Sequence, residues 1–94
     1  MRKNTDANQS EIVAALRELG ATVTVLSQVG YGCPDILVGF RGINYTMEIK
    51  DGSKSPSRQQ LTPAEMRWHN EWQGQRAVVN SISAAISVIQ GDKQ

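Results

Sequence analysis

Two runs rich in strand-forming residues, Asp35–Phe40 and Ile43–Lys50, are separated by only Arg41-Gly42. A two-residue connection joins antiparallel neighbours, and its length fixes their register. Phe40 then faces Ile43, Leu37 faces Thr46, Ile36 faces Met47, and Asp35 faces Glu48. Side chains facing each other in this way have Cβ atoms about 4.5–5.5 Å apart. Because side chains alternate between the two faces of a strand, Lys50 projects on the same side as Glu48. The turn therefore predicts a tight cluster of two carboxylates and one ammonium group.

The remaining segments fall around this hairpin. Ile12, Ala15, Leu16 and Leu19 recur at helical spacing within Asp6–Leu19, with Thr5 as N-cap and Gly20 as the stop. Ala21–Leu26 alternates β-branched residues and reads as a strand. Ser27–Pro34, carrying Gly30 and Gly32, reads as a loop, and so does Asp51–Gln60. A second helix opens with Thr62 as N-cap, Pro63 at its first position and Glu65 completing a capping box. Leu61 and Met66 supply a hydrophobic staple, and the helix runs to Gln73. A short strand, Ala77–Val79, precedes a last helix with Ile82, Ala85, Ile86 and Ile89 on one stripe. The order αβββαβα describes an α/β fold, a small mixed sheet flanked by helices.

With 94 residues and no linker, repeat or low-complexity tract, residues 1–94 are expected to form a single domain. A core this small often gains from a second copy of itself, which makes a dimer the expectation. No apolar run approaches the roughly eighteen residues of a membrane span, and Met1–Asp6 has no apolar stretch behind its charges. A cytoplasmic protein without membrane contact is expected. Cys33, the one cysteine, excludes an internal disulfide and a multi-cysteine zinc cage. Ten Lys and Arg against nine Asp and Glu give a net charge of +1, so a polyanionic partner requires locally clustered cations.

Carboxylates that face each other across a sheet repel unless something compensates them. A hard divalent cation does so well: Mg²⁺ binds one or two carboxylates, keeps several waters and takes phosphate oxygens. A lysine beside the pair is unnecessary for a structural ion. It suits a reaction in which charge builds on a pentavalent phosphorus centre or a water is activated. Metal, carboxylates and lysine together point to phosphodiester hydrolysis.

The same residues carry a resemblance. Gly32-Cys33-Pro34-Asp35, then Glu48-Ile49-Lys50, a polar loop and a Leu-Thr-Pro helix bearing Trp68 resemble the VRR-NUC (virus-type replication-repair nuclease) branch of the PD-(D/E)xK nucleases. The resemblance runs from Glu11 to Ile89 and implies the restriction-endonuclease-like core in the order already read. It implies a Mg²⁺-dependent endonuclease, with Mn²⁺ substituting, that acts as a homodimer on branched DNA such as Holliday junctions. The implied products carry a 5′-phosphate and a 3′-hydroxyl.

Carried onto this sequence, the resemblance makes Asp35 and Glu48 metal-binding carboxylates and Lys50 the catalytic lysine. Glu11 matches the carboxylate that the family places on its first helix. Its position, about 100° from Ile12, puts it at the border of the apolar stripe. The family commonly has a glutamine where this chain has Glu65. That residue either caps its helix or adds a carboxylate to the site, with Gln59 or Gln60 as the other sources of a polar group. A catalytically inactive PD-(D/E)xK module that binds DNA or assembles complexes is the alternative function, and a restriction-type enzyme is a third.

Lys54 and Arg58, on the loop after the lysine, and Arg41, on the hairpin turn, are candidate phosphate contacts. Tyr31, between Gly30 and Gly32, is a candidate DNA contact. His69, Trp68 and Trp72 are read as packing residues of the second helix, and Cys33 as a small buried side chain.

Overall fold

The computed structural model describes residues 5–91, with side chains from Asn8 onward. The Thr5 cap rests on a side chain outside the described residues. The element order is α1 (Thr5–Glu18), β1 (Thr22–Val25), β2 (Ile36–Phe40), β3 (Ile43–Ile49), α2 (Pro63–Glu71), β4 (Arg76–Val79) and α3 (Ile82–Gln90). This is the αβββαβα order expected from the sequence. The four strands form one sheet in chain order, β1 to β3 antiparallel and β4 parallel to β3.

The Arg41-Gly42 connection has the conformation that a two-residue hairpin demands. Both residues have positive φ, 54° and 82°, which matches the right-handed twist of the flanking strands. The register is the expected one, with Phe40 opposite Ile43 and Ile36 opposite Met47. The Arg41 guanidinium lies 4.9 Å from the centre of the Phe40 ring.

The sheet has one apolar face and one mixed face. Ile36, Val38, Tyr45, Met47, Ile49 and Val79 meet Ile12 and Leu16 of α1 and Ala85 and Ile89 of α3 in the core. Alternation sends Asp35, Leu37, Thr46, Glu48, Lys50, Arg76 and Val78 to the other face. That face looks toward α2.

Element ends differ from the sequence expectations by one or two residues. Asp35 and Lys50 lie just outside β2 and β3, although the Asp35 N–H donates to the Met47 carbonyl and the Lys50 N–H to the Val79 carbonyl. α2 stops at Glu71, with Trp72 already extended (ψ 131°). The loop after Lys50 contains a 3-10 turn, Pro56–Gln59, with proline at its start, where the fixed φ suits helical geometry. α3 is capped by the Ser81 hydroxyl, which accepts from the Ala84 N–H, and closes on left-handed Gly91.

Candidate active site

The hairpin brings Asp35 and Glu48 together and fixes both. Asp35 Oδ2 accepts a hydrogen bond from the Ile49 N–H at 2.8 Å, which leaves Oδ1 for another partner. Glu48 is 4% exposed. Its carboxyl is pushed up to about 9, first by burial and then by the charges of Asp35 and Glu65, with Lys50 opposing. Among the described residues Glu48 Oε1 has no hydrogen-bond partner, while Oε2 lies 3.7 Å from Lys50 Nζ.

Lys50 is held as a cation. Its Nζ donates to Glu65 Oε1 at 2.9 Å. Burial alone would pull the ammonium down, but the Glu65 hydrogen bond and the charges of Glu65, Glu48 and Asp35 outweigh it and raise it. Glu65 shows the complementary balance. Burial pushes its carboxyl up, yet the hydrogen bonds from Lys50 and from the Thr62 N–H hold it below the usual range.

Glu65 therefore serves as cap and as site residue with the same atom. Oε1 accepts the Thr62 N–H at 2.9 Å as well as the Lys50 ammonium, and Thr62 Oγ1 accepts the Glu65 N–H at 3.2 Å. The capping box locks the start of α2, and the start of α2 holds the lysine. Gly32 makes this approach possible. Its φ is +78°, and a Cβ there would lie 2.3 Å from the Ala64 carbonyl oxygen. The Gly30-Tyr31-Gly32 run has positive φ at all three residues, and Tyr31 is 94% exposed at its tip.

Glu11 does not complete a three-residue ligand set with the pair among the described residues. The first turn of α1 does touch the end of β3, where Asn8 Nδ2 donates to the Lys50 carbonyl at 2.8 Å. Glu11 is exposed and lines a polar cleft with Asp51, Ser53, Asn80 and Ser81. α1 covers the apolar face of the sheet, whereas Asp35 and Glu48 point from the other. Among the described residues no three His, Cys, Asp or Glu side chains converge as a ligand set. Gln59 bonds the Lys54 carbonyl and Asn80, and Gln60 is exposed.

Lys54 and Arg58 are exposed on the loop that follows Lys50, and Arg41 is exposed at the hairpin end remote from Asp35. Cys33 is half-buried beside the acidic pair, and burial, then Glu48 and Asp35, push its thiol up. His69 is buried. Its Nδ1 lies 3.1 Å from the Glu65 carbonyl and must be the donor, since a carbonyl only accepts. Nε2 has no partner among the described residues. Sequence reasoning missed the Asn8–Lys50 contact, for which the sequence carries no signal. It also missed that Glu65 serves both roles at once, although the capping box already placed its carboxylate at the start of α2.

The residues present fit a small hard cation. Asp35 Oδ1 and Glu48 Oε1 are two carboxylate oxygens from adjacent strands, one of them buried without a partner. Mg²⁺ needs only one or two carboxylates because it retains much of its water. A dehydrated, all-protein cage would need more ligands than are assembled.

No protein-family model matches the sequence, and neither does any curated protein. Among solved structures, a chain described as a VRR_NUC domain matches with a TM-score of 0.70 and 26% identity, over 98% of this chain and 100% of that one. The chain has the VRR-NUC fold. Because the VRR-NUC match spans essentially both chains, it takes in the hairpin, the lysine and the capped helix together, not the sheet alone. No helix among the described residues is long and apolar enough to cross a membrane.

Proposed function

We propose that this VRR-NUC-type chain is a divalent-metal-dependent endonuclease that hydrolyses phosphodiester bonds in DNA, branched DNA such as the four-way junction above all. The Glu48 carboxyl is the observation that carries this reading. It is buried, pushed up to about 9 by its surroundings, and left with one oxygen unpaired beside a second carboxylate and an ammonium. A buried acid perturbed by desolvation and by specific charged neighbours is the pattern that functional sites display.

Asp35 and Glu48 are the residues that would hold Mg²⁺, or Mn²⁺ in its place. Bound there, the ion would supply positive charge to a phosphodiester and acidify a water. Lys50 contributes through charge. Its ammonium stays protonated because the hydrogen bond and charge of Glu65 stabilise it, so it balances negative charge on the phosphate oxygens and is not a base. Glu65 fixes the position of that charge. Lys54, Arg58 and Arg41 are assigned to DNA phosphates, and Tyr31 to a further DNA contact. A four-way junction presents two strands to cut, and one chain carries one site, so the proposal includes a homodimer.

Cleavage of a synthetic four-way junction, a flap, a linear duplex and a single strand tests the proposal. The junction should be cut in Mg²⁺ and not in EDTA. Glu48→Gln and Lys50→Ala should each slow cutting by about 100-fold or more while junction binding persists. Glu11→Gln should stay within about threefold if the two strand carboxylates suffice; a loss matching Glu48→Gln would make Glu11 a ligand. Binding to the junction with no cutting in either metal would identify an inactive DNA-binding module instead.

A further inference from the structure

We propose that the cleft beside the acidic pair holds an unpaired nucleotide of the substrate, its base stacked on Trp72 and its phosphate on Arg76. The inference rests on the nuclease reading and deepens it by naming the substrate class: DNA with at least one unpaired residue next to the scissile phosphate.

Position is the first argument. Leu37 and Thr46 share a sheet face with Asp35 and Glu48 and lie one pleat repeat away, about 7 Å along each strand. From there a cleft of about 460 Å³ opens, lined by Leu37, Ile43, Asn44, Thr46, Trp72 and Gln75. Its Leu37 and Thr46 walls belong to the sheet face that carries the carboxylates. A strand whose phosphate lay over Asp35 and Glu48 would run its neighbouring nucleotide into this cleft.

Chemistry is the second. Trp72 is 43% exposed, and Trp68 stacks on it at 4.6 Å with 16° between the planes. Trp68 thus covers part of the indole, and Trp72 also lines the cleft. Leu37 gives the cleft an apolar wall on this face, and Asn44 and Gln75, whose side chains end in amides, line it as well. Arg76 is opposite Thr46 in the parallel register, exposed on this same face. No carboxylate pairs with it among the described residues. An apolar protein segment would leave the guanidinium and both amides unmatched. A nucleotide uses an aromatic platform, polar edges and a cation together. A fully paired duplex offers no base face to the indole, so the cleft selects DNA that is locally open.

The test uses the full chain in EDTA, so that DNA is bound and not cut. Two duplexes of one sequence are compared, one blunt and one with a single-stranded overhang carrying 2-aminopurine at its first unpaired position. The overhang duplex should bind more tightly, with its fluorophore quenched. Trp72→Leu should weaken overhang binding about 5- to 100-fold and relieve the quenching. Blunt-duplex affinity should move less than twofold, and Trp72→Phe should recover most of the loss. Arg76→Ala, at an exposed position, keeps the test decisive if Trp72→Leu does not fold; it should lower the salt slope for the overhang duplex by about one. Equal effects on both duplexes, or no quenching, would overturn the proposal. So would sedimentation showing that Trp72→Leu turns a dimer into a monomer, because the cleft would then hold a second copy. Absence of cleavage on every DNA in Mg²⁺ would instead strike the nuclease reading and leave this binding experiment readable.

Discussion

Glu48 concentrates the chemistry of the molecule in one side chain. An ordinary surface glutamate is ionised at neutral pH, whereas this one keeps its proton because burial and two neighbouring carboxylates penalise the charge more than Lys50 relieves it. A folded-state value near 9 against 4.5 for the free carboxyl reverses the usual linkage of an acid. Between those values the folded chain binds the extra proton, so stability falls as pH rises through the window and the full penalty is present above it. In EDTA the urea midpoint should therefore be lower at pH 9 than at pH 5, and Glu48→Gln should flatten that dependence. Glu65 acts oppositely, losing its stabilising bonds only in acid, below the ordinary carboxylate value. A cation that takes the Glu48 carboxylate must displace the proton, so Mg²⁺ added at pH 7 should release protons to an indicator dye. No proton release, together with a pH-independent midpoint, would mean that Glu48 is already ionised and the site lacks its stored charge.

At the scale of elements, α2 is the part whose placement decides whether the cluster works. It meets the hairpin through the Glu65–Lys50 bond and the close pass of Gly32 against Ala64. Three substitutions separate its two functions. Thr62→Ala removes one cap bond and should cost about 1 kcal/mol with modest loss of cleavage. Glu65→Gln keeps an acceptor for the Thr62 N–H and should hold stability within about 0.5 kcal/mol while loosening Lys50, a loss of about tenfold in rate. Glu65→Ala combines both defects. If Glu65→Gln cleaved DNA as fast as the unmodified chain, the carboxylate would be a cap alone.

The same elements show what the sequence makes legible. Turn length is a local property, so Arg41-Gly42 fixes the register of β2 against β3 and with it the nearness of Asp35 to Glu48. The capping box is equally local, and Thr62 with Glu65 formed as written. Glu11 was not legible in that way. Helical angle gives the direction of a side chain around its own axis, whereas its distance from the pair depends on which face of the sheet α1 covers. The contact of Glu65 with Lys50 is long-range as well. It follows from the positive φ and missing Cβ of Gly32, and the glycine read only as a loop residue.

Across the whole molecule, a net charge of +1 cannot draw in DNA by itself, so binding depends on where cations stand. The loop after Lys50 presents Lys54 and Arg58 to solvent and is organised by polar bonds instead of burial. Asp51 Oδ1 accepts from the Ser53 N–H and hydroxyl, which hold its carboxylate low. Gln59 bridges the Lys54 carbonyl to Asn80, tying the loop to the turn before α3. This framework keeps both residues on the loop that follows β3. The double change Lys54→Ala with Arg58→Ala should therefore leave the fold intact and weaken junction binding. It should also reduce the slope of log affinity against log salt by about one to two. The rate of cleavage at saturating DNA should change less than the affinity, because neither cation touches Asp35, Glu48 or Lys50. An unchanged slope would move the DNA off this loop and toward the hairpin end, where Arg41 would be the next cation to remove.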